Sequence, residues 1–432
     1  MKIEFIKDNF NYLSDNTTDI NNETLFLKTA QNSKYYEKLD NKPSFITPQE
    51  LIKYWSLDDI KVVGVTGTNG KTTVTAGIYS ILIDLDEAPA LQGTRGFFVD
   101  DKKIEDRSMT TPSIFETILN IKKAKELNAK YFIMEVSSHA IAQNRIEGLK
   151  FALKVHTNIT SDHLDYHKTL EEYRRVKSSF FADDCPKLLN KDDIKNLKYN
   201  PIGAMSYGVD EPATFKVQAF SLDNSIVASV QHLSNQAEFD SPMIGLFNLF
   251  NLMASIGSCV MLTKKSIQEV CNVVGNFAGV SGRMEVVSHN PMIVVDFAHT
   301  PDGMVKVLDS VKDKDISVVF GAGGDRDTTK RARMGSVAAK FAKKVYVTSD
   351  NPRDEKPEDI IKQILSGIEN QQKTRAMIDR TYAINQAIEE LEDNEVLMIL
   401  GKGDEPYQEI SGVKYPYDDR EVVRALLKTQ KS

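Results

Sequence analysis

One stretch limits the fold of this chain more than any other. Val62-Val63-Gly64-Val65 runs into Thr66-Gly67-Thr68-Asn69-Gly70-Lys71-Thr72-Thr73, and beyond it Val74, Ile78, Ile81 and Leu82 recur at helical spacing. The apolar run reads as a buried strand and the spaced residues as one face of a helix. A strand that passes through a glycine-rich turn into a helix opens an α/β fold with a mainly parallel sheet. The turn also carries chemistry. Glycines let backbone N–H groups wrap phosphate oxygens, the helix N-terminus adds positive dipole, Lys71 supplies charge and a Thr hydroxyl can reach Mg²⁺. The common phosphate-loop pattern places Gly where this chain has Val65, so this is a variant with two residues between its glycines. A glycine-rich turn that merely precedes a lysine is the bland alternative. The strand before and the helix after favour a nucleotide-binding loop.

Alternation of strands and helices continues from there. Tyr131–Val136 and Phe151–Thr157 are further strand candidates, and residues 201–241 look β-rich and irregular. After Gly279-Val280-Ser281-Gly282-Arg283 a second series begins, with strand candidates Met292–Val295, Ile316–Phe320, Lys344–Thr348 and Val396–Leu400. Each ends in a polar or glycine-rich loop, and open α/β sheets bind ligands at the carboxyl ends of their strands. Residues 1–58 are polar and rich in Asn and Asp. The expected division is 1–58, 59–282 and 283–432, within the two to four domains that ~100–200 residues per domain allow for 432 residues.

Bulk properties narrow the partners. A net charge of −7 argues against nucleic acid. Cys185, Cys259 and Cys271 show no paired spacing, which fits a reducing compartment and no disulfide or metal framework. The opening MKIEFIKDNF lacks a signal-peptide apolar run, and no stretch approaches the ~20 apolar residues of a membrane span. A cytoplasmic location is expected. No heptad demands a partner chain, so a monomer is expected.

A second cluster lies near the phosphate loop in sequence logic. The apolar run Tyr131–Met134 ends in Glu135, and an acid at a buried strand tip beside a phosphate loop commonly serves Mg²⁺. Ser137-Ser138-His139 follows at once, and Asp162-His163-Leu164-Asp165-Tyr166-His167 follows another strand. A solvated polar turn is the alternative for each piece. The density of acids and imidazoles at strand ends favours a site.

The ordered set Gly67–Thr73, Thr110-Thr111-Pro112, Glu135–His139, Asn158 with Asp162–His167, Tyr173 with Lys177, Asn248 with Asn251, Arg283, and Asp296–Asp302 resembles the Mur ligases over roughly residues 60–432. The resemblance implies an N-terminal domain recognising UDP, a central P-loop ATPase domain and a C-terminal Rossmann-like domain. It implies that ATP phosphorylates a D-glutamate carboxylate of a UDP-N-acetylmuramoyl-dipeptide, that an amino acid's amine attacks the acyl phosphate, and that phosphate leaves. Gly67, Thr68, Asn69, Gly70, Lys71, Thr72 and Thr73 would then hold the ATP phosphates. Asn248, Asn251, Arg283 and His299 would hold its adenosine side. Thr72, Glu135, His163 and a carbamylated Lys177 would serve Mg²⁺, with Lys71, Glu135, His163 and Lys177 as the catalytic set. Thr110, Thr111, Ser137, Gln143 and Arg145 match contacts to the muramyl-peptide. On the residues alone, Lys177 would be a solvated helix lysine, and Asn248 with Asn251 a capping pair near a helix start.

Asp350-Asn351-Pro352-Arg353 resembles the signature of the branch that adds meso-diaminopimelate. That acid differs from lysine by one carboxylate, which an arginine fork can pair in a bidentate way. Gly401 and Glu405 match contacts to the distal end of the added amino acid, and Arg326 is a further candidate. A plain β-turn is the alternative for this run, since Asp and Asn-Pro favour turns. Asp404 stands where the family usually has His, and Phe297 where it often has Tyr. Residues 1–58 are short for the UDP domain and echo it only at Thr18-Asp19 and Leu25-Phe26. The competing functions are a sister ligase on the same scaffold (lysine-adding, D-alanyl-D-alanine-adding or folylpolyglutamate synthase) and a P-loop protein without ligase chemistry.

Overall fold

The computed structural model describes residues 1–100, 102–106, 109–160, 162–223 and 225–429. The chain forms two compact units: Met1–Pro242 with Asn248–Ala278, and Met243–Phe247 with Gly279–Ser432. Each is α/β, as the strand–turn–helix alternation implies.

Among the described residues the first unit contains two sheets. Residues at the start of the chain make a four-stranded sheet in chain order, Lys2–Lys7, Phe10–Ser14, Thr24–Leu27 and Phe45–Ile46. Only its first pair is antiparallel. The other sheet has eleven strands. At its centre Lys61–Thr66 lies between Phe151–His156 and Tyr131–Glu135, parallel to both. Val62, Val63 and Val65 are buried, as are Phe132, Ile133 and Met134 on the neighbour. Continuous apolar runs are what a parallel strand covered on both faces requires. The helix Lys71–Asp84 follows the central strand and buries Val74, Ile78, Ile81 and Leu82. Thr75 and Gly77 are buried too, so the packed surface is wider than the apolar stripe alone.

The β-rich stretch 201–241 resolves into Ala204–Gly208, Phe215–Ser221, Ile226–His232 and Asn235–Ser241, the last three antiparallel at one end of the large sheet. Pro89–Gly93, Gly96–Val99 and Lys102–Glu105 form an antiparallel extension at the other end. The helix Leu246–Thr263 is long and apolar enough by composition to cross a membrane, but it is mostly buried within the protein. It corrects the expectation that no stretch approaches the length of a membrane span: this one does, and its burial makes it a core helix.

In the second unit the order is Glu285–His289, Met292–Asp296, Glu395–Leu400, Asp315–Phe320, Lys344–Val347 and Thr374–Ala376. All pairs but the first are parallel. The four strand candidates of this region form within one residue of their expected ends. Their carboxyl ends lead into the loops after Asp296, Phe320, Val347 and Leu400. A two-stranded hairpin, Tyr407–Ile410 with Val413–Pro416, stands beside the last of these.

Candidate functional site

The loop after Thr66 is fixed from the next strand over. Thr68 N–H donates to the Asn158 carbonyl at 2.7 Å. Asn69 N–H donates to Asn158 Oδ1 at 3.1 Å, and Thr157 Oγ1 donates to the Asn69 carbonyl at 2.6 Å. Gly70 sits at φ +83°, and a Cβ there would lie 2.4 Å from Asn251 Oδ1. Only glycine meets both demands. Lys71 bends back over the loop, its Nζ donating to the Gly67 and Thr68 carbonyls at 2.8 and 2.9 Å. Asn248 and Asn251 are the third and sixth residues of their helix rather than its cap, both buried, with Asn251 Nδ2 donating to Asn248 Oδ1 at 3.0 Å. Thr73 is buried in the first turn of the helix Lys71–Asp84. A glycine-rich turn at a helix start, with a lysine held above it, has the make-up of an anion cradle.

Glu135 comes from the tip of the strand next to the loop. Its carboxylate accepts Thr72 Oγ1 at 2.9 Å and Thr94 N–H at 2.8 Å. Thr72 and Glu135 thus present two hard oxygen donors side by side, a chemistry that suits Mg²⁺. Lys177 is not the solvated lysine that its helix position alone suggests. It is 1% exposed, and its Nζ donates to the Gly67 carbonyl at 2.9 Å and Thr66 Oγ1 at 3.3 Å. Burial, then the charge of Lys71, pushes its pKa well below the usual amine value, and Asp162 works the other way. Tyr173, one turn earlier, shares a 3.0 Å hydrogen bond with Thr68 Oγ1. His163 is half-exposed beside Asp162, with its ring 4.9 Å from that of His139. Among the described residues no three His, Cys, Asp or Glu side chains gather as a ready metal cage. Thr72 and Glu135 are therefore brought together, Lys177 lies under the same loop, and His163 stands with His139.

The expected muramyl-peptide residues form one strip. Thr111 Oγ1 donates to the Glu135 carbonyl at 2.9 Å and accepts Ser137 N–H at 3.0 Å. Thr110 Oγ1 accepts from Thr94 Oγ1 at 3.1 Å. Arg145 Nη1 donates to the Thr111 carbonyl at 3.0 Å, while its Nε and Nη2 donate to Gln143 Oε1 at 3.0 and 2.6 Å. Ser137 caps the short helix Ser138–Ala142 by accepting from Ala140 N–H. Buried His167 bonds Ser138 Oγ through Nε2 at 2.9 Å.

In the second unit, Asp296 is buried and accepts Met284 N–H and Ala298 N–H at 2.8 and 2.7 Å. Burial raises its pKa even with Arg283 close by. The Arg283 guanidinium lies over the Phe297 ring at 4.5 Å. His299 contacts the Phe297 carbonyl through Nδ1 at 2.9 Å. Arg326 is exposed on the glycine-rich loop.

The run Asp350–Arg353 does more than turn. The turn itself begins at Pro352, whose carbonyl accepts Glu355 N–H at 3.1 Å. Buried Asn351 donates to Glu405 Oε2 at 2.7 Å and accepts Lys402 Nζ at 3.1 Å. Lys402 also donates to Glu405 at 2.8 Å. Gly401, at φ +113°, leaves no room for a Cβ, which would fall 2.6 Å from Asp350 Oδ2. Arg353, at φ +52°, donates from Nε to Glu409 Oε2 at 3.1 Å and from Nη1 to the Gly324 carbonyl at 2.7 Å. The sequence reading missed Lys402, although it stands inside the Gly401–Glu405 run, and Thr94 and Glu409, for which no local pattern exists.

Two buried arginines support this face, and neither had a signal beyond ordinary helix composition. Arg331, fully buried, holds the Gly323 carbonyl at 2.9 Å and both oxygens of Glu355 at 2.7 and 2.8 Å. Arg380 pairs with Asp419 at 2.7 and 2.8 Å and donates to the Ser349 and Leu400 carbonyls at 3.3 and 3.0 Å. It thereby ties together the strand ends that carry Asp350 and Gly401.

Comparison with known proteins bears on the family of the chain. Residues 65–259 match the Mur ligase middle domain and residues 282–403 match the Mur ligase glutamate ligase domain. The UDP-N-acetylmuramoyl-L-alanyl-D-glutamate–2,6-diaminopimelate ligase of Wolinella succinogenes is 48% identical, covering 99% of this chain and 98% of its own length. The ligase of the same name from Helicobacter pylori is 47% identical, covering 96% and 95%. A solved structure of a ligase so named superimposes with a TM-score of 0.71 at 27% identity, covering 97% of this chain and 95% of that one. Folylpolyglutamate synthase of Mycobacterium tuberculosis, at 14% identity, TM-score 0.63 and coverage of 82% and 91%, shares the fold alone. With relatives this similar along nearly its whole length and both domain families matched in order, the chain belongs to the Mur ligase family.

Proposed function

We infer that this chain is an ATP-dependent amide ligase that joins meso-2,6-diaminopimelate to the D-glutamate of UDP-N-acetylmuramoyl-L-alanyl-D-glutamate, in peptidoglycan precursor synthesis. One observation supports the choice of amino acid most directly. Arg353 and the carboxylates of Asp350 and Glu405 belong to one loop cluster, held together through Asn351, Lys402 and Gly401. The distal end of diaminopimelate carries both a carboxylate and an ammonium. An arginine with neighbouring acids matches that pair of charges, whereas lysine offers the ammonium alone. Folylpolyglutamate synthase remains a likeness of fold at 14% identity.

The chemistry follows from what the side chains can do. A carboxylate resists attack by an amine until its oxygen becomes a good leaving group. Transfer of the ATP γ-phosphoryl group to the D-glutamate carboxylate makes that change and releases ADP. The neutral amine of diaminopimelate then attacks the carbonyl carbon, the C–O bond to phosphate breaks, and the amine loses a proton. In this reading the Gly67–Thr73 loop, the helix start that follows it and the Lys71 ammonium stabilise the charge spread over the transferring phosphoryl. Thr110, Thr111, Ser137, Gln143 and Arg145 orient the muramyl-peptide. Asn248, Asn251, Arg283 and His299 hold the adenosine side, while Arg326, Asp350, Asn351, Pro352, Arg353, Gly401 and Glu405 receive the amino acid. Thr72 and Glu135 fit Mg²⁺ by donor type, with His163 and carbamylated Lys177 as further ligands. The ion supplies a compact positive charge for the phosphate oxygens. Residues 1–58 serve the UDP end, 59–282 ATP, and 283–432 the amino acid. We place the enzyme in the cytoplasm as a monomer, with no nucleic-acid partner.

The test is phosphate release from ATP, Mg²⁺ and the UDP-dipeptide, with meso-diaminopimelate or L-lysine as acceptor. Release with diaminopimelate alone is expected. Release with lysine instead would overturn the role of Arg353, and release with neither would overturn the reaction.

A further inference from the structure

We propose that Glu409 is a positioning residue for the added amino acid: its carboxylate aims the Arg353 guanidinium at the substrate's distal carboxylate. The proposal rests on the assignment of Arg353 made above and adds a residue that lies outside the Asp350–Arg353 and Gly401–Glu405 runs.

The hairpin Tyr407–Pro416 docks on the loop of Arg353 through the backbone. Arg353 N–H donates to the Glu409 carbonyl at 3.1 Å, and Ser411 N–H donates to the Arg353 carbonyl at 2.8 Å. Glu409 N–H donates to Asn351 Oδ1 at 2.9 Å. None of these three bonds uses the Glu409 side chain, so that side chain is not needed to seat the hairpin. It is spent on the guanidinium instead, through the 3.1 Å bond to Nε.

The backbone of Arg353 explains why an aiming group is required. At φ +52° the residue leaves the strand end in the left-handed region, and its long side chain must cross back over the glycine-rich loop. Gly324 fixes one end of the fork at Nη1, 2.7 Å away. Glu409 fixes the other at Nε. The planar guanidinium is held at two corners, and Nη2 has no protein partner among the described residues. Nη2 is therefore the corner left to donate to a ligand oxygen. Arg353 and Glu409 are 21% and 24% exposed at their side chains, sheltered enough for the pair to persist and open enough for a small ligand to reach it. An arginine fixed in advance loses less freedom when it binds, which favours the ligand that uses it.

The test compares Glu409→Ala and Glu409→Gln with wild type, alone and in an Arg353→Ala background. Glu409→Ala should raise KM for meso-diaminopimelate roughly tenfold, the scale of one hydrogen bond to a charged group. The kcat, KM for ATP, KM for the UDP-dipeptide and melting temperature should stay near wild type. Glu409→Gln, which keeps an acceptor at the same reach, should recover most of the loss. In the Arg353→Ala background Glu409→Ala should add nothing. An unchanged KM for diaminopimelate, an equal rise in KM for ATP, or a full additional loss in the double variant would overturn the proposal. Wild-type turnover of diaminopimelate and its loss in Arg353→Ala test the underlying assignment separately.

Discussion

The Lys177 amine lies 2.9 Å from the carbonyl oxygen of Gly67, inside the floor of the phosphate loop and 1% exposed to solvent. A charged ammonium here would sit beside Lys71 with little water to screen it, and both burial and that neighbour favour the neutral amine. A neutral amine reacts with CO₂, and the resulting carbamate turns a repelling group into an anionic oxygen ligand. We predict that ¹³CO₂ gives a carbamate carbon signal that disappears in Lys177→Ala. That variant should lose kcat by at least about 100-fold, in the range of a lost electrostatic stabiliser. A full signal or full activity in the variant would remove Lys177 from the mechanism.

Glu135 accepts hydrogen bonds from Thr72 Oγ1 and Thr94 N–H. If these oxygens serve Mg²⁺, Glu135→Gln keeps the size but removes the charge. The Mg²⁺ concentration for half-maximal activity should rise about 10–100-fold, with the melting temperature of the apo protein little changed. Equal Mg²⁺ dependence in variant and wild type would leave Glu135 a structural anchor for the loop.

What the sequence revealed and what it hid follow one physical line. Short-range patterns were legible: strand, glycine loop and helix at Val62–Thr73, and the second strand series from Met292, appear where apolar runs and punctuation place them. The antiparallel extensions at the two ends of the large sheet were vague or missed: Lys102–Glu105 is mostly exposed and Asn235–Ser241 carries few apolar residues, so neither offers an apolar run to read. Lys177 is the sharpest case at the site. Its helix has a charged composition, and its amine meets tertiary partners at Thr66 and Gly67 that no helix pattern announces. Arg331, Arg380 and Glu409 likewise pair with charged partners 24, 39 and 56 positions away, which no local window contains.

Arg353 is the residue on which amino-acid choice should turn. Arg353→Ala removes a charge-assisted hydrogen bond worth about 2–3 kcal/mol, so kcat/KM for diaminopimelate should fall roughly 30–150-fold. Lysine has no distal carboxylate to lose, and its use should stay flat or rise. ATP binding, measured by calorimetry, should be unaffected. A uniform loss on every substrate would show that the residue holds the loop rather than selecting the ligand.

The pair of Arg331 and Glu355 links the same face to acid stability. Arg331 is fully buried, and its hydrogen bonds hold the Glu355 carboxyl at a pKa of about 2, against 4.5 for a free one. A depressed carboxylate pKa contributes stability that is fully present above about 4.5, falls as pH drops, and is gone below about 2. Glu355→Gln leaves the buried Arg331 without a counter-charge and should cost about 3 kcal/mol near pH 7. Wild type and variant should converge in denaturant midpoint between pH 4.5 and 2, the window set by that shift. Because Arg331 also holds the Gly323 carbonyl, the variant should raise KM for the amino acid more than KM for ATP. A pH-independent gap in stability would mean that packing of the Gln, and not the lost charge, sets the difference.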